Sequence, residues 1–392
     1  MPVYHISTRI SSNACIINLL YDLSIYRMNS ERNKTCLVDV KQQPVQENYQ
    51  TQKHMTANIN ESLSTIYIME VTLYRKTMLK TLCVTPIPFT RMYTHRELAA
   101  GKSWSPVKRE NPCYFESTVN PKPMSEGGET KGIIISIPER PFVAKEYSIG
   151  SDLDPFEKNR IEQQINNRFN HYDFPNQNAG SLCGPAVFFY CLQKDRPDVY
   201  AQAVRELWKY GKTKIGELTI EPSERCLHPS SQFYYSKRRP KIMGIDWMTL
   251  AGLRDSENTV FSFDALDSPI AGITMWQILS EWFEKVGYEK VFSNVGITQA
   301  GIQGIHDLNA YQKKGYKVVT LINDGLLGRS NSNSTLPTHW IVWEGPLTQQ
   351  TNGTVNLKLF SWGEVFDQIK PSRDLSFFIK RFFGGMVFKS LK

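Results

Sequence analysis

Asn178-Ala-Gly-Ser-Leu-Cys183-Gly-Pro185-Ala-Val-Phe-Phe-Tyr190-Cys-Leu-Gln193 is the stretch on which the fold turns. Every residue from Ala186 to Leu192 is apolar. A helix that is apolar all round is buried on all sides. The spacing predicts such a helix over Cys183–Gln193, entered from a turn cluster at Asn176–Ser181 and ending near Lys194. Asp195 is placed to cap a second helix, and Pro197 suits its first turn. That helix runs to about Tyr210, with Val199, Ala203, Leu207 and Tyr210 along one face.

Downstream, Asp246 is placed to cap a short helix over Trp247–Leu253. Asp264–Gly287 holds another, with Met275, Ile278, Leu279 and Phe283 at helical spacing, and Ile302–Lys314 a third. Strands are expected at Tyr316–Asn323, Thr338–Glu344 and Val355–Trp362, and a last one over Phe377–Phe388. Helices followed by antiparallel strands predict an α+β domain. Upstream, Asp154–Asn170 reads as an exposed helix. The chain changes character near residue 150, which divides it into residues 1–150 and 151–392. The first part shows weak strand alternation in Ser64–Leu73 and Leu79–Phe89. A Pro-, Ser- and Gly-rich linker spans Lys102–Gly128, and a buried strand, Gly132–Pro138, follows it.

The composition is that of a globular protein. The chain has 392 residues, 41% hydrophobic and 12% aromatic, with net charge +8. That excludes disorder over most of its length and leaves room for two domains. The charge is spread as +5 over residues 1–150 and +3 over the rest, too thin for a nucleic-acid footprint. The densest basic cluster, Lys237, Arg238, Arg239 and Lys241 beside Tyr234 and Tyr235, reads as a solvated loop. The seven cysteines include no CxxC pair, which argues against a zinc ribbon or disulfide framework and for synthesis in a reducing compartment. Cys226-Leu-His228 has no partner pair, so no metal or cofactor is expected. No signal peptide and no apolar run of membrane-spanning length is visible. The expectation is synthesis in the cytoplasm, with any export by a route without a cleaved signal.

Cys183 at a helix start is where a thiol nucleophile gains most. The helix N-terminus favours thiolate, Gly184 removes bulk beside the sulfur, and Pro185 has no N–H to waste in the first turn. A thiol nucleophile also needs a proton-handling partner. Of the seven histidines, His339 opens the apolar strand His-Trp-Ile-Val-Trp, where it is rigidly held. A hairpin places the end of the next strand beside it, with Ser361 as the polar candidate to orient the imidazole. Asn356, Glu364 and Asp367 are less well placed. An oxyanion hole could be built from the Cys183 N–H and the side-chain amide of Gln177, with Asn178 as its rival. Cys191, well inside the helix, reads as core.

These residues resemble the papain-like cysteine peptidase superfamily. Cys183-Gly-Pro-Ala186 is similar to the start of the bacteriocin-leader-processing peptidases, which place a glutamine six residues before the cysteine, as Gln177 is here. His339 matches their strand-start histidine. Phe360-Ser-Trp-Gly363 matches the Asn-Ser-Trp-Gly of papain except at its first residue, where Phe360 replaces the asparagine that orients the imidazole. The resemblance covers roughly residues 150–390. It implies a helical subdomain, with the catalytic helix buried, packed on an antiparallel sheet. It also implies a cysteine protease acting on a protein substrate, with Cys183 as nucleophile, His339 as base and Gln177 in the oxyanion hole; because Phe360 cannot orient an imidazole, the third position falls to Ser361, to another acid, or to no residue at all in a Cys–His dyad. Papain-like domains joined to unrelated N-terminal regions are common among bacterial toxins and secreted effectors. A delivery, targeting or inhibitory role for residues 1–150 and an immunity or inhibitor protein as partner would fit that setting. The same pieces also serve deamidases, transglutaminases, acyltransferases and peptidoglycan amidases. The missing asparagine leaves a catalytically inactive binding module as an alternative of another class.

Overall fold

The computed structural model describes residues 3–391 except 9, 11–15, 48, 86–87, 102–139, 179–180, 231, 237–238, 258–272 and 329–335. The expected linker and the strand Gly132–Pro138 lie outside the described residues. The chain divides into two compact units, Met1–Glu139 and Arg140–Lys392, so the second unit begins before residue 150.

The first unit is built on an antiparallel sheet of β1 (Leu19–Met28), β2 (Lys34–Pro44), β3 (Ile66–Lys76), β4 (Thr81–Cys83) and β5 (Phe89–Thr94). The order is β2-β1-β3-β4, with β5 also paired to β3. Alternate residues Tyr67, Met69, Val71 and Leu73 of β3 meet Tyr21, Leu23 and Ile25 of β1 in one core. A short helix, α1 (His95–Ala100), follows. Thr94 and Glu97 close its N-terminus as a capping box, each side chain bonding the other's backbone, which satisfies two otherwise orphaned donors.

The second unit is α+β. Helices α2 (Lys158–Phe169), α3 (Cys183–Asp195) and α4 (Pro197–Tyr210) come first. Next comes an irregular helical stretch: one turn at Gly244–Asp246, a π-helical turn at Trp247–Ala251, and α5 (Gly252–Ser256). Helix α6 (Trp276–Val286) and strand β6 (Glu289–Ser293) lead to α7 (Gly301–Gln312). The remaining elements are β7 (Lys317–Ile322), β8 (His339–Trp343), β9 (Leu359–Ser361), β10 (Glu364–Phe366), α8 (Leu375–Ile379) and β11 (Phe382–Lys389). The strands form one six-stranded sheet in the order β6-β11-β7-β8-β9-β10, antiparallel throughout.

Several elements differ from their sequence expectation. Asp195 does not cap α4. It closes α3, forms an ion pair with Lys317 at 2.9 Å and accepts from the Leu391 amide at 3.2 Å. Asp246 caps nothing either: its two carboxylate oxygens both accept from Arg168 Nη2, at 3.0 and 2.9 Å. Val355–Trp362 is not one strand. Thr354–Asn356 joins a small three-stranded sheet, and only Leu359–Ser361 reaches the large one. Phe377–Phe388 begins as helix α8, capped by Asp374 on the Phe377 amide, and becomes strand only at Phe382. The α2 helix is not simply exposed, because Ile161, Ile165 and Arg168 are buried. Helix α6 starts at Trp276; residues 264–272 of the longer expected segment lie outside the described residues.

Candidate active site

Helix α3 is buried at every residue but Lys194, as its unbroken apolar run requires. Cys183 is its first residue and is 3% exposed. The next residue, Gly184, packs so closely on Thr274 that an added Cβ would lie 2.4 Å from Thr274 Oγ1. Thr274 is fixed in turn: its carbonyl accepts from Trp340 Nε1 at 2.9 Å, and Arg254 Nη1 of α5 donates to its hydroxyl at 3.4 Å.

Strand β8 packs alongside α3 and brings the Trp340 backbone N–H to the Cys183 sulfur. His339, one residue earlier, opens the strand and is buried. Its Nε2 lies 2.7 Å from Ser361 Oγ at the end of β9, and its ring stacks on Trp362 at 4.4 Å and 11°. The register explains the choice of partner. Val342 pairs with Phe360, and Trp343 with Leu359, so Ser361 faces the same side of the sheet as His339. Phe360 faces the other side and stacks flat on Tyr190 of α3, at 3.8 Å and 5°. Phe360 therefore joins the helix to the sheet, and the serine after it meets the imidazole.

Gln177 lies on a loop held from beneath by buried charge. Arg168 pairs with Asp246 and, at 2.6 Å, with Asp173. Gln193 Nε2 of α3 donates to the carbonyls of Arg168 and Asp173 at 2.7 and 2.9 Å. Asp246 also accepts the Asn176 amide, and Asn176 Oδ1 accepts the Asn178 amide at 2.8 Å. Asn178, at φ 52°, donates its side-chain amide to the Lys241 carbonyl. The loop meets the sheet at Gly363, where φ is 79° and an added Cβ would lie 2.6 Å from Asn176 Cβ. Gln177 itself is buried, and its Oε1 has no hydrogen-bond partner among the described residues. Asn178, the rival for the oxyanion role, is committed to Lys241.

The electrostatics depart from the sequence expectation. Burial pushes the Cys183 thiol up to about 11, against the downward pull of the Trp340, Gly184 and Cys183 N–H groups and of the Arg254 charge. Desolvation by the packed helix start outweighs the helix-end field that was expected to favour thiolate.

Arg254, Thr274 and the Arg168–Asp246 pair were not singled out from sequence. Arg254 follows the apolar run Trp247–Leu253, and a guanidinium appended to a buried segment is the one signal that could have drawn attention to it. Among the described residues no group of three His, Cys, Asp or Glu is arranged to hold a metal, and no helix is long and apolar enough to cross a membrane. Cys226 is buried and His228 pairs with Glu224. Arg239 and Lys241 lie over the Tyr235 ring; Lys237 and Arg238 are outside the described residues. Compared with known proteins, the chain matches no family model, no curated protein and no solved structure.

Proposed function

We propose that the second unit is a papain-like cysteine hydrolase that cleaves peptide bonds in a protein substrate. One observation carries this reading. The helix-start thiol of Cys183 lies against the backbone N–H of Trp340, and the residue before it on the strand, His339, is buried with its Nε2 2.7 Å from Ser361 Oγ. With Nε2 engaged by the serine, Nδ1 is the nitrogen that would exchange a proton with the sulfur. Burial favours the protonated thiol, which suits His339 as a general base: it takes the thiol proton as sulfur attacks the carbonyl, then returns it to the leaving amine. The Cys183 N–H and the Gln177 side chain would receive the oxyanion. Water then releases the acyl group. Ser361 supplies the positioning hydrogen bond that an asparagine gives in papain. The setting that fits best is a bacterial effector or toxin with an inhibitory or immunity protein as partner.

The test is incubation of the full chain with a peptide mixture from a digested proteome, followed by mass spectrometry of newly formed N-termini. The expected result is a recurring set of new ends that is lost in both Cys183→Ala and His339→Ala. A glutamine or asparagine mass gain of about 1 Da, the mark of side-chain hydrolysis by the same acyl-enzyme chemistry, without cleavage would reassign the protein as a deamidase. Equal activity in Cys183→Ala would overturn the nucleophile.

A further inference from the structure

The β3–β4 hairpin of the first unit turns through Thr77-Met78-Leu79-Lys80. Thr77 closes the turn. Its amide and hydroxyl both donate to the Lys80 carbonyl, at 2.8 and 2.7 Å, and the Lys80 amide donates back to Thr77 Oγ1 at 3.0 Å. A turn tied in this way holds its two central side chains outward. Met78 is 102% and Leu79 96% exposed. On the neighbouring strand Leu19 lies opposite Arg75, so Ile17, just before Leu19, belongs to the same end of the sheet; it is 83% exposed. Three large apolar side chains thus project at one end of the sheet. Around them Leu73–Cys83 carries Arg75, Lys76 and Lys80 and no acidic residue.

We propose that this end of the first unit docks on a phospholipid bilayer containing anionic lipid. Met78 and Leu79 enter the acyl boundary, Ile17 reaches the interface, and Arg75, Lys76 and Lys80 lie among the headgroups. The shape favours lipid over a protein partner. A stable protein interface covers about 800 Å² on each side, far more than a convex tip of three side chains offers. A bilayer needs only apolar groups that reach about 5–10 Å into the headgroup boundary and basic groups behind them. The backbone is also prepared for that medium. Lys76 pairs with Thr81 at the base of the hairpin, and the Thr77–Lys80 bonds satisfy the turn, so few bare peptide groups enter lipid. This inference does not depend on the hydrolase reading.

The experiment is co-sedimentation of the full chain with vesicles of phosphatidylcholine and phosphatidylglycerol, and with vesicles of phosphatidylcholine alone. The wild type is expected to pellet with the mixed vesicles. The double variant Met78→Asp/Leu79→Asp should lose binding by about tenfold or more. Lys76→Glu/Lys80→Glu should abolish the preference for anionic lipid. All four positions are exposed, so unfolding temperatures should be unchanged in both variants. In a Leu79→Trp variant, mixed vesicles should shift the added emission to the blue, and brominated acyl chains should quench it. Three results would each overturn the proposal: no pelleting at low salt, wild-type pelleting by the double Asp variant, or an unmoved emission. So would self-association of the wild type that the double Asp variant abolishes, because the tip would then be meeting a second copy of the chain.

Discussion

Replacing Gly184 by alanine drives a methyl group into Thr274. The new Cβ would lie 2.4 Å from Oγ1, 2.5 Å from Cβ and 3.1 Å from Cγ2, where ordinary contact begins at 3.4 Å. Turning the threonine side chain moves Oγ1 and Cγ2 but leaves Cβ in place. One backbone must therefore retreat by about 1 Å, the kind of overpacking that costs about 1–3 kcal/mol. The retreat is resisted, because the Thr274 carbonyl holds Trp340 Nε1 and its hydroxyl takes Arg254. The helix preference of alanine returns at most about 1 kcal/mol. The net loss should be about 1–2 kcal/mol, read as a fall of roughly 2–8 °C in the melting of the second unit. A double-mutant cycle with Thr274→Gly isolates the cause. In that background Gly184→Ala should be neutral or stabilising, giving a coupling of about 1 kcal/mol or more. An equal loss in both backgrounds, or none in either, would refute the packing argument.

Four further outcomes follow from the same geometry. Phe360→Ala should destabilise the second unit by about 3–4 kcal/mol through loss of the Tyr190 stack. Phe360→Asn should bring no gain in activity, since position 360 faces the helix and not His339; a gain in turnover would contradict the register. Ser361→Ala should leave the unfolding curve nearly unchanged and lower turnover by about tenfold, the worth of one hydrogen bond of about 1–1.5 kcal/mol, measured against whichever peptide the cleavage assay identifies. Arg168→Ala and Asp246→Ala should each cost about 3–5 kcal/mol by stranding a buried charge, with the double variant far from additive in urea unfolding.

The candidate site was legible in sequence where chemistry and local pattern coincide. The unbroken apolar run after Cys183 can only be buried, and it forms α3. The apolar strand opened by His339 and the hairpin logic placed Ser361 near the imidazole, and the two meet at 2.7 Å. What escaped were choices made by distant partners. Asp195 and Asp246 look like helix caps because local spacing allows it, yet Lys317 and Arg168 claim them. The run Phe377–Phe388 is apolar without a period, so nothing in it marks where α8 gives way to β11. The upward push of burial on the thiol was equally hidden, because a helix start announces its field while burial is set by the tertiary packing. In the first unit the apolar alternation was visible over Ser64–Leu73, but β1 buries residues on both faces, and that blurs its period of two.

The central claim is that His339 takes the proton of Cys183, and the most direct test is the rate of Cys183 alkylation by iodoacetamide as pH is varied. Exposed Cys36 and Cys83 serve as internal standards, and mass spectrometry assigns each label. If the imidazole is the base, the Cys183 rate should rise well below the pH at which the free thiol ionises and then level off. In His339→Ala that limb should vanish, leaving only the climb toward the thiol's own value of about 11. A wild-type rate that climbs steadily through pH 9.0, the ordinary thiol value, and is unchanged by His339→Ala would contradict the pair.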